Sequence, residues 1–310
     1  MALTVFGNSV FIRGLIEVSN HCRNNCFYCG IRAANPSVRR YRLDKEDILA
    51  CCRSGYDLGF RTFVLQGGED PCQTDDWVED VVRSIRASFP DCAITLSLGE
   101  KPAASYRRFK EAGADRYLLR HETFNEDHYS KLHPGSMSRE RRLECLSNLK
   151  EQGYQTGSGF MVGSPYQTLD HIVEDIVYIQ ALRPEMIGIG PFVHHDGTPF
   201  ADMPDGSVSL TLKLISIFRL MNPHALIPST TSLATLDSSA RSRGILSGAN
   251  VVMPNLTPAS RRRDYALYEG KAAFGAEAAE GLEELKKEMK AIGYEVVVDR
   301  GDYGVRRNVN

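Results

Sequence analysis

The chain has 310 residues, of which 42% are hydrophobic and 25% charged, so it can bury a large core as one α/β barrel or as two smaller domains. Its formal net charge of -2 offers no electrostatic footprint for nucleic acid or for an anionic membrane surface. The sequence shows neither a signal peptide nor a membrane span, so we expect a cytoplasmic protein without nucleic-acid or membrane partners.

Extended apolar runs alternate with amphipathic stretches along the chain. The predicted strands span residues 11–18, 61–66, 92–98, 116–122, 155–162, 186–192, 225–231 and 249–254. The predicted helices span residues 44–58, 74–88, 103–112, 126–132, 139–152, 168–182, 209–221 and 238–247, with a last helix at 276–292. Eight strand–helix units predict a (β/α)8 TIM-type barrel, whose chemistry lies on the loops after the strands. We expect a single domain over 1–310, with a core at about 9–271 and a C-terminal capping segment at 272–310.

The loop after the first predicted strand contains three cysteines, spaced Cys22-x3-Cys26-x2-Cys29. A structural zinc site normally takes four protein ligands, whereas each of the four irons of a cubane cluster needs one external ligand. Three cysteines on one short loop therefore predict a [4Fe–4S] cluster with one iron left open. Two alternatives remain, namely unconnected or disulfide-bonded cysteines, and a zinc ion bound by these cysteines and His21.

One face of the predicted strands is unusually polar for a barrel. Ordinary barrels fill their centre with layers of branched apolar side chains. Here the same strand parity collects polar pairs, namely Glu17 and Ser19, Thr62 and Gln66, Thr95 and Ser97, and Arg120 and Glu122. Burying such side chains without partners is costly, so we predict a polar interior cavity that holds a ligand. A water-filled or salt-bridged interior is the alternative.

The cysteine spacing, with Tyr28 just before the last cysteine, resembles the signature of the radical S-adenosylmethionine (SAM) enzymes. The segment QGGED at 66–70 resembles the GGE segment of that superfamily, in which the backbone and Glu69 would meet the methionine amino group. In these enzymes SAM chelates the open iron and is cleaved reductively to methionine and a 5′-deoxyadenosyl radical. The resemblance therefore implies one [4Fe–4S] cluster and SAM as cofactors.

Further motifs resemble the HydE family of FeFe-hydrogenase maturases. They occur in order between about residue 9 and about residue 271: SLGE at 97–100, RYLLRHET at 116–123, GIGPF at 188–192, STT at 229–231, NVVMPN at 250–255 and YALYEGK at 265–271. This resemblance implies assembly of the H-cluster diiron subsite from an organometallic iron complex that carries CO, cyanide and cysteine. It also implies partners, namely a ferredoxin-type or flavodoxin-type electron donor and the other maturases, a tyrosine lyase and a GTPase scaffold.

The resemblance assigns roles by position. Cys22, Cys26 and Cys29 would hold the cluster. Arg141 would pair with the SAM carboxylate and Glu122 would reach polar groups of SAM, although mutual pairing of Arg120 and Glu122 is the alternative. The residues expected around SAM are Tyr28, Gln66, Glu69, Thr95, Ser97, Arg120, Glu122, Arg141 and Met161. Those expected on the substrate side are Thr230, Thr231, Met253, Tyr265 and Tyr268.

Two departures and several alternatives accompany the resemblance. The chain has no cysteine after Cys145, so we predict a single cluster, and we expect the helical N-terminal extension usual in the family to be absent or trimmed. Within the enzymes, the alternative is a radical SAM mutase or synthase acting on a small amino acid, similar to methylornithine synthase or biotin synthase. From another class, the alternative is a non-catalytic iron–sulfur carrier.

Overall fold

The computed structural model describes residues 1–271 and 275–304 of the chain. Its α-helices are α1 (Ala2–Phe6), α2 (Lys45–Asp57), α3 (Asp75–Ser88), α4 (Ala103–Ala112), α5 (Glu126–Leu132), α6 (Arg139–Glu151), α7 (Leu169–Leu182), α8 (Val208–Met221), α9 (Thr231–Leu236), α10 (Ala240–Leu246), α11 (Ala259–Arg262) and α12 (Leu282–Ala291). Its strands are β1 (Ser9–Ile12), β2 (Gly14–Ser19), β3 (Thr62–Gly67), β4 (Ala93–Ser97), β5 (Arg116–Leu118), β6 (Gln155–Ser158), β7 (Met161–Val162), β8 (Met186–Ile187), β9 (Gly190–Pro191), β10 (Val251–Val252) and β11 (Glu295–Val297). Two short 3-10 helices, Gly275–Glu277 and Ala279–Gly281, precede α12.

Parallel strands alternate with helices throughout the chain. The central sheet has six strands in the order β2-β3-β4-β5-β6-β8, and its continuous ladders do not close into a ring. Single parallel bridges continue the circuit from β8 back to β2: Met186–Leu226, Pro228–Val251 and Leu15–Asn255. The architecture confirms the predicted TIM-type α/β barrel.

Local sequence explains where several helices begin. Side chains with short polar groups accept a backbone N–H in the first turn, as expected of N-caps: Asp44, Thr74, Asn125, Ser138, Thr168 and Ser207. The apolar faces of the helices pack on the outer face of the sheet. Four cysteines, Cys51, Cys52, Cys92 and Cys145, lie buried in this helix–sheet layer as the sequence pattern indicates.

The polar strand face points into the barrel. Glu17, Gln66 and Ser97 stand side by side, because β2, β3 and β4 pair in that register. At the opposite end of the strands, Thr62 and Arg116 are also buried. The barrel interior is therefore polar at both ends of the strands, and its upper end opens towards the loops that follow the strands.

The C-terminal residues cover the lower end of the barrel. β11 pairs in parallel with β1, and this strand is missing from the elements predicted above. The Thr62 hydroxyl donates to the Arg300 carbonyl at 2.8 Å, and Arg116 donates to the Asp302 carboxylate at 2.7 Å. The described part of the predicted capping segment thus closes the barrel bottom, while residues 272–274 and 305–310 lie outside the described residues.

Several element boundaries differ from the prediction. The predicted strand 11–18 is two strands, because the chain leaves the β1 sheet after Ile12 and joins the central sheet at Gly14. The predicted strand 225–231 is present only as single bridges at Leu226 and Pro228, since Thr230 already begins α9. The helix predicted at 276–292 starts at Leu282. Within the described residues, no helix combines the length and the apolar character that crossing a membrane requires.

Candidate active site

The upper end of the barrel contains a cavity of about 290 Å³. It lies where the loops after the parallel strands meet, the end at which barrel enzymes carry their chemistry. The wall includes most of the residues predicted to bind the cluster, SAM or substrate: Cys22, Cys26, Tyr28, Cys29, Gln66, Glu69, Ser97, Arg120, Glu122, Met161, Tyr265 and Tyr268. Five predicted residues are not part of this wall: Thr95, Arg141, Thr230, Thr231 and Met253.

The cysteine loop is held in place by many backbone contacts. The N–H of Arg23 donates to the Glu69 carbonyl at 3.0 Å, and the N–H of Gly30 donates to the Leu267 carbonyl at 2.8 Å. Gly68 packs so closely beneath the loop that a Cβ there would lie 2.2 Å from the His21 carbonyl oxygen. The glycine pair of the QGGED segment therefore allows the cysteine loop to rest directly on the end of β3.

Burial keeps the three loop thiols protonated when no metal is bound. Burial raises the pKa of Cys26 to about 12 and also raises the pKa of Cys22 and Cys29. Such thiols ionise only beside a cation, and a coordinating metal deprotonates them outright. The N–H of Asn24 points at the Cys22 sulfur, 3.4 Å away, as amides do around iron–sulfur clusters.

The same thiols do not form a site for a single ion. Among the residues that the structure describes, no three His, Cys, Asp or Glu side chains converge tightly enough to hold one metal ion. Cys22, Cys26 and Cys29 line one wall of the cavity instead. This arrangement fits a cubane cluster, in which each thiolate binds a different iron. All eight cysteines are free, so the disulfide alternative is not present in the structure.

Tyr28 is locked between the cysteine loop and α5. Its hydroxyl lies 3.1 Å from Nε2 of His133, and Nδ1 of His133 lies 3.1 Å from the Tyr129 carbonyl. A carbonyl only accepts, so Nδ1 carries the proton and Nε2 accepts from Tyr28. Burial, together with the nearby Arg142 charge, lowers the pKa of His133 to about 3. Burial raises the pKa of Tyr28 well above its ordinary value.

This lowered pKa predicts an acid-side loss of stability. In the unfolded chain His133 titrates near ~6.5, so between that pH and about 3 the unfolded state binds more protons and stability falls as the pH falls. At pH 5 the loss from this group amounts to about 2 kcal/mol. We expect His133→Gln, which does not titrate, to flatten the pH dependence by this amount in urea unfolding of the metal-free protein. His224→Gln, at the other end of the barrel, is the control, and an unchanged slope in His133→Gln contradicts the prediction.

The acidic residues of the QGGED segment are fixed by ion pairs. Glu69 accepts from Arg23 at 2.9 Å and from the N–H of Glu100 at 2.9 Å. Asp70 accepts from Ser19 at 2.7 Å and from Arg42 at 2.6 Å. Although burial opposes it, hydrogen bonds from Arg42 and Ser19 lower the pKa of Asp70 below its ordinary value. Asp70 therefore anchors the segment while Glu69 faces the cavity.

Arg120 and Glu122 stand in the cavity wall after β5. Their side chains pair at 2.8 Å, which is the alternative that the sequence left open for these two residues. Glu122 has a φ of 65°, a left-handed conformation that is uncommon for residues with a side chain and concentrated at functional sites. Both residues line the cavity.

Arg142 lies on the cavity wall and its neighbour Arg141 does not. Arg142 donates to the Glu100 carboxylate at 2.6 Å and to the Arg120 carbonyl at 3.1 Å, and it is buried. Arg141 pairs with Glu144 at 2.8 Å on the outer part of α6 and is 39% exposed. Helix phase would have identified Arg142, because it lies three and seven residues before the buried Cys145 and Leu149.

The remaining predicted residues lie outside the cavity wall. The Thr231 hydroxyl donates to Glu277 at 2.7 Å, and that of Thr230 contacts Ser232, which itself lines the cavity. Thr95 is buried on β4 below Ser97. Met253 packs on a small apolar cluster around Phe6, Phe11 and Val251. Ser232 is thus the hydroxyl that this region presents to the cavity.

A comparison with known protein families supports the assignment indicated by the barrel fold and the three-cysteine loop. The family model of the radical SAM superfamily matches residues 16–179, from within β2 to within α7. The matched part includes the three cysteines, the QGGED segment and the Arg120–Glu122 wall. A radical SAM enzyme is therefore the class that the barrel and its cysteine loop define.

Individual relatives narrow this class. The FeFe-hydrogenase maturase subunit HydE of Thermotoga maritima is 47% identical over 265 residues, which cover 86% of this chain and 75% of that protein. The 3-methylornithine synthase of Methanosarcina acetivorans is 29% identical over 290 residues, covering 93% of this chain and 78% of that protein. A crystal structure of methylornithine synthase matches with a TM-score of 0.82 and 26% identity, covering 96% of this chain and 86% of that one. The chain belongs to the HydE family of the radical SAM superfamily. This membership confirms the predicted cofactors, a [4Fe–4S] cluster and SAM.

Proposed function

We propose that this enzyme acts on an organometallic iron complex that carries CO, cyanide and cysteine, in assembly of the H-cluster diiron subsite of FeFe-hydrogenase. The observation that carries the proposal is the 47% identity to HydE of T. maritima over 86% of the chain, compared with 29% to a 3-methylornithine synthase. Four of the sequence motifs that resemble HydE, SLGE, RYLLRHET, GIGPF and YALYEGK, contribute residues to the cavity wall, beyond the cysteine loop typical of the superfamily.

The cavity supplies distinct groups for the cofactors. When bound, the cluster provides the electron that cleaves SAM, chemistry that side chains lack. Cys22, Cys26 and Cys29 hold the cluster in the wall. Arg120 and Glu122 present their charges to the polar groups of SAM, and we place Glu69 beside its amino group. Gln66, Ser97, Tyr28 and Met161 complete the proposed SAM side, with Thr95 directly beneath.

The opposite wall forms the proposed substrate side. Tyr265 is buried and lies within reach of Gln66, whose amide donates to the Tyr265 hydroxyl at 3.4 Å. Burial raises the pKa of Tyr265 and of Tyr268, so both phenols stay protonated and act as hydrogen-bond donors. Ser232 adds a hydroxyl to the cavity wall beside Thr230, and we also assign Thr231 and Met253 to the substrate side, although neither lines the cavity in this structure. Phenol and hydroxyl donors suit a complex whose cyanide ligands accept hydrogen bonds.

The cysteine positions support a single cluster. Apart from the three loop cysteines, none of the cysteines lines the cavity, and four of the five others are buried in the helix–sheet layer. We therefore propose one cluster, reduced by a ferredoxin-type or flavodoxin-type protein, and cooperation with the other hydrogenase maturases. A biotin synthase activity would require ligands for a second cluster inside the barrel, and these cysteines do not supply them.

A mutase acting on a small amino acid is the second candidate. It is favoured by the structural match to methylornithine synthase, which extends over 96% of the chain. The Arg120–Glu122 pair could serve an amino-acid carboxylate and amine as well as SAM. Sequence identity favours the iron complex, so we rank the mutase second.

Formation of 5′-deoxyadenosine separates these functions. We expect the reconstituted, dithionite-reduced enzyme to form it at least about tenfold faster with the cysteine-bound iron complex, because a fitting substrate consumes the radical. L-lysine, the amino acid used by methylornithine synthase, serves as the competing substrate. Acceleration by L-lysine alone contradicts the proposal and favours the mutase. A cluster-containing protein that cleaves no SAM in this assay would instead be identified as a non-catalytic iron–sulfur carrier.

A further inference from the structure

His121 stands between two cavity residues in sequence, yet its side chain points the other way. Arg120 and Glu122 line the cavity, whereas the imidazole of His121 is fully buried among the helices behind the wall. Its Nδ1 lies 2.9 Å from the Ser158 hydroxyl on β6, and its Nε2 lies 3.1 Å from the Asp175 carboxylate on α7. The three side chains form a buried chain of hydrogen bonds across two elements.

The chemistry of Asp175 fixes the direction of one of these bonds. A carboxylate accepts, so Nε2 of His121 donates to Asp175, while Nδ1 bonds to the Ser158 hydroxyl. The Asp175 oxygen that contacts His121 also accepts the N–H of Phe124 at 2.6 Å. The buried Asp175 carboxylate thus holds the polypeptide on both sides of Glu122, through His121 and through Phe124.

The segment between these anchors is strained. The left-handed conformation of Glu122 is unfavourable for a residue with a side chain and persists only where surrounding contacts impose it. One such contact is the N–H of Glu122, which donates to the Gly159 carbonyl at 3.1 Å. The others are the bonds of His121 and Phe124 to Asp175. Without them, residues 120–124 lose the contacts that oppose relaxation of Glu122.

We propose that His121 is a positioning residue that, through Ser158 and Asp175, keeps Arg120 and Glu122 in the geometry that binds SAM. It acts from behind the wall and touches neither cofactor nor substrate. This inference rests on the proposed contact of Arg120 and Glu122 with SAM, and it adds a second layer to that site. At metal and cofactor sites in general, hydrogen bonds from residues behind the binding side chains hold those side chains in position.

The test compares variants that remove the same kind of buried bond in different places. His121→Phe removes the chain, and His121→Gln restores a donor towards Asp175. Tyr154→Phe is the control, because it removes a buried hydroxyl bonded to the Tyr106 carbonyl at 2.6 Å, away from the cavity. SAM affinity is measured from the change that SAM causes in the electron paramagnetic resonance spectrum of the reduced cluster, alongside KM and kcat for SAM cleavage.

We expect His121→Phe to raise the dissociation constant and KM for SAM about tenfold with iron content unchanged and kcat reduced less than twofold. His121→Gln recovers most of this loss, and Tyr154→Phe lowers the melting temperature without affecting SAM. If His121→Phe does not fold, Asp175→Ala, which removes the acceptor of both the His121 and the Phe124 bond, is expected to show the same rise.

Unchanged SAM affinity in the folded His121→Phe or Asp175→Ala protein overturns the inference, as does an equal loss in Tyr154→Phe. A wild-type cluster whose spectrum does not respond to SAM overturns the proposed function together with this inference. A wild-type response that survives in His121→Phe overturns the inference alone.

Discussion

Cys26→Ala is expected to abolish cluster assembly and SAM cleavage. Cys26 is enclosed in the cavity wall, with its sulfur 3.7 Å from the Met137 sulfur, and its thiol has a pKa of about 12 without metal. No other described cysteine lines this cavity except Cys22 and Cys29, so nothing replaces the missing ligand. Loss of outer contacts to a metal ligand already costs roughly 10–100-fold, and loss of the ligand itself costs more.

The measurement is iron and sulfide per chain after anaerobic reconstitution, together with 5′-deoxyadenosine formation. We expect iron content to fall from about four per chain to a small fraction of that value, and SAM cleavage to fall more than about 100-fold. Cys72→Ala is the matched control, since Cys72 is an exposed cysteine outside the cavity wall. A Cys26→Ala protein with a normal cluster would show that the ligand assignment is wrong.

The barrel and its cysteine loop could be predicted because their signals are local. Each strand and its helix form a short unit with its own apolar period, and the cysteines fall on one loop after the first unit. Strand parity also indicated that Glu17, Gln66 and Ser97 share the interior face, and their register confirms this. Parity is readable because side chains alternate strictly along a strand.

The barrel bottom could not be predicted because its contacts are remote in sequence. Arg116 pairs with Asp302, and Thr62 bonds to the Arg300 carbonyl, across more than half of the chain. β11 has only three residues, too few for a clear pattern, and exists because the edge of β1 is available for pairing. Short elements of this kind are decided by tertiary contacts.

The conformation of Glu122 also had no local signal. Glutamate rarely adopts a positive φ, and the surrounding sequence contains no turn residue that predicts one. The conformation is imposed by contacts to Gly159 and Asp175, which lie on later elements. Conflicts between local preference and fold are expected at functional sites, and this one occurs in the cavity wall.

The two neighbouring arginines of α6 are expected to differ when each is replaced by methionine. Arg142→Met removes the partner of Glu100, whose side chain is only 14% exposed, and breaking a pair so largely shielded from water costs about 3 kcal/mol. Arg141→Met breaks an exposed pair with Glu144 and a hydrogen bond to the Lys101 carbonyl at the protein surface, which are together worth about 1 kcal/mol. Urea unfolding of the metal-free proteins measures both losses. Equal losses would contradict the burial difference between the two side chains.

If Arg141 binds the SAM carboxylate, as the resemblance to HydE implies, the order of the two variants is reversed for SAM affinity. Arg141→Met then weakens SAM binding more than Arg142→Met does. Arg141 must then leave Glu144 and the Lys101 carbonyl, 3.2 Å away, and turn inwards when SAM binds. We expect Arg141→Met to weaken SAM binding roughly tenfold or more, the value of a charge-assisted hydrogen bond, with little change in stability. Glu144→Gln removes the competing partner and is expected to leave SAM binding intact or slightly tighter. Unchanged SAM affinity in Arg141→Met would show that Arg141 does not bind the SAM carboxylate. That role would then be assigned to Arg142, whose guanidinium already lies in the cavity wall.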